Sequence, residues 1–211
     1  GARFGEILYE RVCRDFQAVF DFKYDREAVA SYVKLGEWQA SGQRQITSCG
    51  VTYRPDPGFH ERRRKLLGDD APYLCLTPTA SFPEKRWPAE AFFRLIELFL
   101  WAPEFKPHKL VLLAGPGDDF CRLYDELEKK FPMRFFNLQG KTNLRESVLW
   151  AKFARLCVGN DTGIPHYAEA VGTACLMIQG PTGEEFGFYP HLPLSGVVHK
   201  RLWCRPCTTN G

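Results

Sequence analysis

Several familiar signatures are missing from this 211-residue chain. No stretch approaches the ~20 consecutive apolar residues of a membrane-spanning helix, although 45% of residues are apolar, enough for a sizeable core. No charged-then-apolar leader pattern stands at the front. The chain opens on Gly1 rather than Met, which reads as a fragment or a processed form. Neither a GxxxxGK[ST] phosphate loop nor a GxGxxG fingerprint is present, which argues against a P-loop kinase and an ordinary NAD dehydrogenase. There is no internal repeat and no low-complexity tract. The net charge of +3 is too small to imply a nucleic-acid partner.

Cysteine is not scarce, but its placement is telling. Of the eight, Cys75, Cys157 and Cys175 lie inside apolar, strand-like runs, where a free thiol behaves as a small hydrophobe. That usage suits a reducing cytoplasm better than a disulfide scaffold. Only Cys204 and Cys207 form a close pair.

From Tyr73 onward strands and helices alternate. YLCLT (Tyr73–Thr77) is an apolar strand candidate, followed after a loop by WPAEAFFRLIELFLW. There Phe92, Leu95, Ile96 and Phe99 fall at i, i+3, i+4 and i+7, one helix face, with Pro88 suited to the first turn. KLVLLAG (Lys109–Gly115) is the next strand, and Phe120, Leu123, Tyr124 and Leu127 predict one face of the next helix. MRFFNL (Met133–Leu138) is a third strand, and Thr142 or Asn143 can cap a helix carrying Leu144, Val148 and Ala151. RLCVGN (Arg155–Asn160), a short helix from Gly163 to Val171, and ACLMIQG (Ala174–Gly180) complete the series. This rhythm predicts a parallel sheet covered by helices on both faces, and the continuously apolar strands agree. Residues 1–70 are more charged and sustain no such rhythm. CRDFQAVFDF and REAVASYVKLG read there as strand and helix, ERRRKLLG as a basic helix end or linker, and GDDAP as a boundary.

In an open parallel sheet, ligands bind at the carboxyl ends of the strands. The loop Thr77–Pro88 brings Thr79, Ser81, Lys85 and Arg86 to a helix start, the donors and cations a phosphate requires. An ordinary loop with solvated charges would use the same residues. In GNDTGIPHYAEAVGT (Gly159–Thr173), Asn160, Asp161 and Thr162 are competent caps, Gly163 permits close backbone approach, and His166 sits one turn in. Phosphate contact falls to the Thr162 and Gly163 backbone and His166. Asp161 would repel a phosphate unless it is a cap, a ribose partner or an orienter of a donor. In QGPTGEEFG, Thr182 reaches the same ligand or belongs to a structural turn. Asp118 or Asp119 in AGPGDDF holds a ribose hydroxyl or caps the next helix.

These loops, in this order, resemble glycosyltransferase family 9, the bacterial ADP-heptose:lipopolysaccharide heptosyltransferases. TASFPEKRWPAEAF, LLAGPGDD, LQGKTNLRES, VGNDTGIPHYAEAVGT, IQGPT and CRPC carry the likeness over residues 73–207. The resemblance implies a GT-B architecture, two Rossmann-like α/β domains facing across a cleft. A C-terminal donor domain with a parallel sheet would occupy residues 71–211, and a reduced or incomplete acceptor-side domain residues 1–70. It implies phosphate contacts from Ser81, Lys85, Thr162, Gly163 and His166, with Asp161 as the acid of that motif. Asp118 falls near the ribose-contacting acid, and Thr142 and Leu144 near the adenine-lining segment. GARFGEIL resembles the family's opening loop, with Glu6 where the general base, usually Asp, stands.

The implied reaction is an inverting transfer of a sugar, a heptose, from an ADP-sugar to a lipopolysaccharide-type, lipid-linked saccharide. Lys85 would stabilise the leaving diphosphate, and no cofactor or tightly bound metal is needed. Cys204 and Cys207 are either half of a four-thiolate metal site or an unmetallated loop. The expected location is the cytoplasm, with peripheral association at the cytoplasmic face of the inner membrane, and no nucleic acid is involved. Two alternatives stay open: another GT-B nucleotide-sugar enzyme, such as an epimerase or a transferase with a different donor, and a non-catalytic nucleotide-sugar-binding member.

Overall fold

The computed structural model describes residues 56–183, 189–200 and 202–207. The run read as a basic helix end belongs to an 11-residue helix, α1 (Pro57–Leu67). Asp56 caps it by accepting from the Gly58 N–H, Pro57 occupies the first turn, and Gly68 ends it in the left-handed region at φ 81°. Its arginines are paired with neighbouring acids, Arg62 with Asp56 at 2.7 Å and Arg63 and Arg64 with Asp70 at 3.1 and 3.2 Å.

Five strands then fall where the apolar runs place them: β1 (Tyr73–Thr77), β2 (Lys109–Leu112), β3 (Phe135–Asn137), β4 (Cys157–Asn160) and β5 (Cys175–Gln179). A sixth, β6 (Gly196–His199), was not visible in the sequence as a strand. It is four residues long, follows a Pro-rich stretch, and is defined by pairing beside β5. All neighbouring pairs are parallel, in the order β3-β2-β1-β4-β5-β6. This is the doubly wound arrangement, in which the strand order reverses between β1 and the strand that returns beside it.

Alternation along each strand builds two cores. On one face Leu74, Leu76, Leu110, Leu112, Val158, Leu176 and Ile178 meet α2 (Ala89–Trp101) through Phe92, Leu95, Ile96 and Phe99, the four residues of the predicted face. Each such buried side chain stabilises the fold by roughly 1.5–3 kcal/mol. On the other face Tyr73, Cys75, Val111, Cys157, Cys175 and Met177 meet α1, α4 (Leu144–Lys152) and α5 (Gly163–Ala170). Phe59 and Leu67 of α1 are part of that core. Cys75, Cys157 and Cys175 line up across β1, β4 and β5, fully buried and free, and burial pushes their thiols well above the ordinary range.

Two local readings are corrected, the helix after β2 and the place of Pro88, and one choice of cap is settled. The segment after β2 is a 3-10 helix (Asp119–Tyr124) running into a short α3 (Asp125–Lys130), not one α-helix. With three residues per turn, the buried face is Cys121, Tyr124 and Leu127, whereas Leu123 is exposed. Of the two candidate caps for α4, Asn143 takes the role, in a reciprocal capping box with Glu146. Leu144, the first residue of that helix, points outward at 58% exposure, while Leu149, Trp150 and Ala151 face the core. Pro88 precedes α2 as its cap residue, its carbonyl accepting from Ala91 and Phe92.

Candidate functional site

The reversal of strand order leaves a crevice outside the ends of β1 and β4, and the loops leaving those two strands are the chemically loaded ones. Their approach requires a glycine. Thr77 pairs with Gly159, and a Cβ on Gly159 would stand 2.6 Å from the Thr77 carbonyl oxygen and 1.7 Å from its hydroxyl. Beyond it Asn160, fully buried, pins both ends of the first loop. Its amide donates to the Pro78 carbonyl at 2.7 Å, and its oxygen accepts from the Trp87 N–H at 3.0 Å.

That pinning sets Lys85 against Asp161. Lys85 ends a 3-10 turn (Pro83–Lys85), and its Nζ lies 3.1 Å from Asp161 Oδ2. The same oxygen accepts from Thr182 Oγ1 at 2.8 Å. Asp161 Oδ1 lies 3.2 Å from His166 Nε2, and against an ionised carboxylate that nitrogen carries the proton. The Asp161 side chain is 2% exposed and that of Lys85 13%. Burial alone would raise the Asp161 pKa, but hydrogen bonds from His166, Thr182 and Lys85, with the Lys85 charge, outweigh it and hold the carboxyl below its ordinary value.

This geometry removes one of the alternatives left for Asp161. It is not the cap of α5; Thr162 holds that position in extended backbone, with no side-chain cap bond. Nor does its charge face solvent. Its two oxygens meet Lys85 and His166, two side chains able to donate to a phosphate. The N–H groups of Gly163 and Ile164 lie in the first turn, where an α-helix supplies no i−4 acceptor, Pro165 carries no N–H, and the helix field there favours an anion. Gly163 is exposed and Thr162 partly so. Ser81 is exposed on the same β1 loop, three residues before Glu84.

The turn after β5 interlocks with this loop. Gly180 packs so closely that a Cβ there would stand 2.7 Å from the Glu84 carbonyl oxygen. A cleft of about 280 Å³ opens beside it, lined by Lys85, Trp87, Gln179, Gly180 and His199 among others. Arg205, to which the sequence assigned no role, donates to the Gly180 carbonyl at 2.9 Å and to the Gln179 side chain, and lies 2.8 Å from His199 Nδ1. Burial and the Arg205 charge push the His199 pKa down to about 4. An Arg between two cysteines and a proline carries no sequence signal for this, because Gly180 and Gln179 lie some 25 positions away and meet it only through the fold.

The remaining candidates do not join the cluster. Asp118 turns its carboxylate onto the Gly115 N–H at 2.8 Å, closing its own turn. It does not cap the following helix through its side chain. Thr142 bonds Ser147 at 2.8 Å. Asp118 and Thr142 nevertheless share a neighbourhood, because Gly140 and Gln139 donate to the Ala114 and Asp118 carbonyls and tie the β2 and β3 exit loops together. Cys204 and Cys207 are exposed, their sulfurs 3.9 Å apart, and no cluster of three or more metal-competent side chains occurs among the described residues. Glu6 lies outside the described residues, as does the division of residues 1–55.

A family model described as glycosyltransferase family 9 (heptosyltransferase) matches residues 12–211. Lipooligosaccharide heptosyltransferase 2 of Haemophilus influenzae is 31% identical over 131 residues, covering 60% of this chain and 36% of that protein. Lipopolysaccharide heptosyltransferase 2 of Escherichia coli is 25% identical over 123 residues, 57% of this chain and 34% of its own length. The chain thus spans about a third of the length of the curated relatives it matches. Among solved structures, E. coli ADP-heptose lps heptosyltransferase II superposes with TM-score 0.53 at 24% identity, covering 74% of this chain and 46% of that one. A family 9 glycosyl transferase from Veillonella parvula gives 0.58 at 19%, covering 77% and 47%. These likenesses establish a GT-B, Rossmann-like fold for the described sheet. The family model runs through the loops that converge on Asp161, and the chain belongs to glycosyltransferase family 9.

Proposed function

We propose that this chain carries the donor side of a glycosyltransferase that moves a heptose from an ADP-sugar to a lipopolysaccharide-type saccharide. The observation that carries this is the Lys85–Asp161–His166 cluster beside the α5 N-terminus, on loops matching a heptosyltransferase family. As the bond between the anomeric carbon and the diphosphate oxygen breaks, negative charge grows on the leaving ADP. Lys85 and the N–H groups at Thr162–Gly163 stand ready to receive it, fixed before the reaction rather than reorganised during it. Asp161 contributes by holding Lys85 and His166 in place.

The acceptor hydroxyl attacks the anomeric carbon from the opposite face, which inverts its configuration, and its proton passes to a carboxylate, assigned to Glu6. Ser81 adds a phosphate contact. Asp118 and the Thr142–Leu144 segment, at the β2 and β3 exits, line the nucleoside end, with residues 71–211 as the donor domain, α1 packed onto its core, and the residues before α1 as part of the acceptor side. Names of curated relatives and of ADP-bound solved neighbours support the donor and acceptor classes. Reaction at the cytoplasmic face of the inner membrane fits an acceptor of that class; no helix among the described residues is long and apolar enough to cross a membrane.

The test is a titration with ADP, ADP-heptose, and UDP- and GDP-sugars, followed by calorimetry and thermal melting. At one hundred times Kd, ADP stabilises the fold by about 2.7 kcal/mol, a rise of roughly 5–11 °C in Tm at this size. Lys85→Ala abolishes that rise. If ADP neither binds nor shifts the melting curve, the donor-site reading is wrong. Glu6→Gln should remove turnover and leave ADP binding intact, which also separates an active transferase from a member that only binds.

A further inference from the structure

Building on that donor-site reading, we propose that Thr182 is a positioning residue of the site, acting through Asp161, and that the segment Arg205–Cys207 holds it there. Thr182 is fully buried, in the turn after β5 rather than in either phosphate loop. Its hydroxyl donates to Asp161 Oδ2 at 2.8 Å, the oxygen that also receives Lys85 at 3.1 Å. The carboxylate therefore has a fixed plane: one oxygen held by Thr182 and Lys85, the other by His166. Without the hydroxyl, the carboxylate can rotate about its Cβ–Cγ bond, and Lys85 and His166 follow it.

The hydroxyl is delivered to that spot by a clamp. Arg205 Nε donates to the Gly180 carbonyl at 2.9 Å, its guanidinium reaches the Gln179 side-chain oxygen, and the Cys207 N–H donates to the Pro181 carbonyl at 2.8 Å. Three consecutive residues, 179 to 181, are thus tied to the segment that follows β6. Gly180 closes the other side by packing on the Glu84 carbonyl. Thr182 is the next residue, and those ties set where it enters the site. A planar fork suits Arg205 to this task, because one guanidinium meets partners in fixed directions that an ammonium cannot match together.

The experiment is ADP titration by calorimetry on the full chain, with a melting curve for each variant. Thr182→Val and Thr182→Ala should each weaken ADP binding on the order of tenfold, the scale of one charge-assisted hydrogen bond, while Thr182→Ser stays within about threefold. In an Asp161→Asn background, Thr182→Val should add less than about twofold, since a residue acting through Asp161 has nothing left to position. Arg205→Lys should fall between wild type and Thr182→Val. The proposal is overturned if Thr182→Val binds ADP as wild type does, or if its effect is undiminished beside Asp161→Asn. It is also overturned if both hydroxyl-free variants fail to fold while Thr182→Ser folds, which would make the hydroxyl a stability element. Failure of the wild-type chain to bind ADP is a different outcome and removes the donor-site reading itself.

Discussion

Replacing Asp161 by Asn tests the centre of the site with almost no change in volume. Asp161 is 2% exposed and receives three donors, from Lys85, His166 and Thr182. Asn keeps one acceptor oxygen, loses the charge, and turns two donors toward groups that are donors already. Removing one partner of a buried ion pair costs about 3–5 kcal/mol. Lys85 is 13% exposed, so its ammonium recovers some hydration, which places the loss near the lower end, about 3 kcal/mol. At roughly 2–4 °C per kcal/mol, Tm falls by about 6–12 °C. Urea denaturation at pH 7 measures the loss directly. A loss below ~1 kcal/mol, the size of an exposed ion pair, would refute the claim that this pair is buried and cooperative. The pH dependence gives a second check. Because the Asp161 carboxyl is held below its ordinary value, its contribution is fully present above about pH 3.9 and is lost as pH falls further. Asp161→Asn should lack that part of the acid limb.

Three further outcomes follow from the same geometry. Gly180→Ala should cut ADP affinity at least tenfold with a modest loss of stability, because its Cβ would meet the Glu84 carbonyl at 2.7 Å and push the Lys85 loop; unchanged affinity in calorimetry counts against the interlock. His199 should titrate in NMR near pH 4 rather than near 6.5, and since its folded pKa is the lower one, stability should fall as pH drops from about 6.5 toward 4. A His199 midpoint near 6.5 would contradict its placement beside Arg205. Under native conditions a small thiol reagent should modify Cys204 and Cys207 quickly, while Cys75, Cys157 and Cys175 react only on unfolding. Fast reaction at any of those three would mean the sheet is less closed than described.

The strands and the main helix were legible because their signals are local. An apolar run such as Tyr73–Thr77 or Cys175–Gln179 needs burial on both sides wherever it sits, and the Phe92–Phe99 spacing commits a helix to one face. β6 escaped because four residues carry too little pattern, and only pairing with β5 makes them a strand. The 3-10 segment escaped because spacings of three and four are both compatible with Phe120–Leu127 until packing against α2 selects Cys121 and Tyr124.

At the site, the sequence by itself determined the chemistry and the loops: hydroxyls, cations and a capping motif at strand ends, Ser81 to Lys85 and Asp161 to His166, in the order of a known family. It left Asp161 with three roles and Thr182 with two. Which groups the two side chains meet depended on distances between residues 76 and 21 positions apart in the chain, Lys85 to Asp161 and Asp161 to Thr182. Those distances exist only because parallel pairing of β1, β4 and β5 brings their carboxyl ends to one edge. Tertiary structure alone also recruited Asn160 and Arg205, whose hydrogen-bonding partners, Pro78, Trp87, Gly180 and Gln179, are mostly backbone groups. Any residue type can supply a backbone carbonyl or N–H, so such partners leave no mark in a sequence.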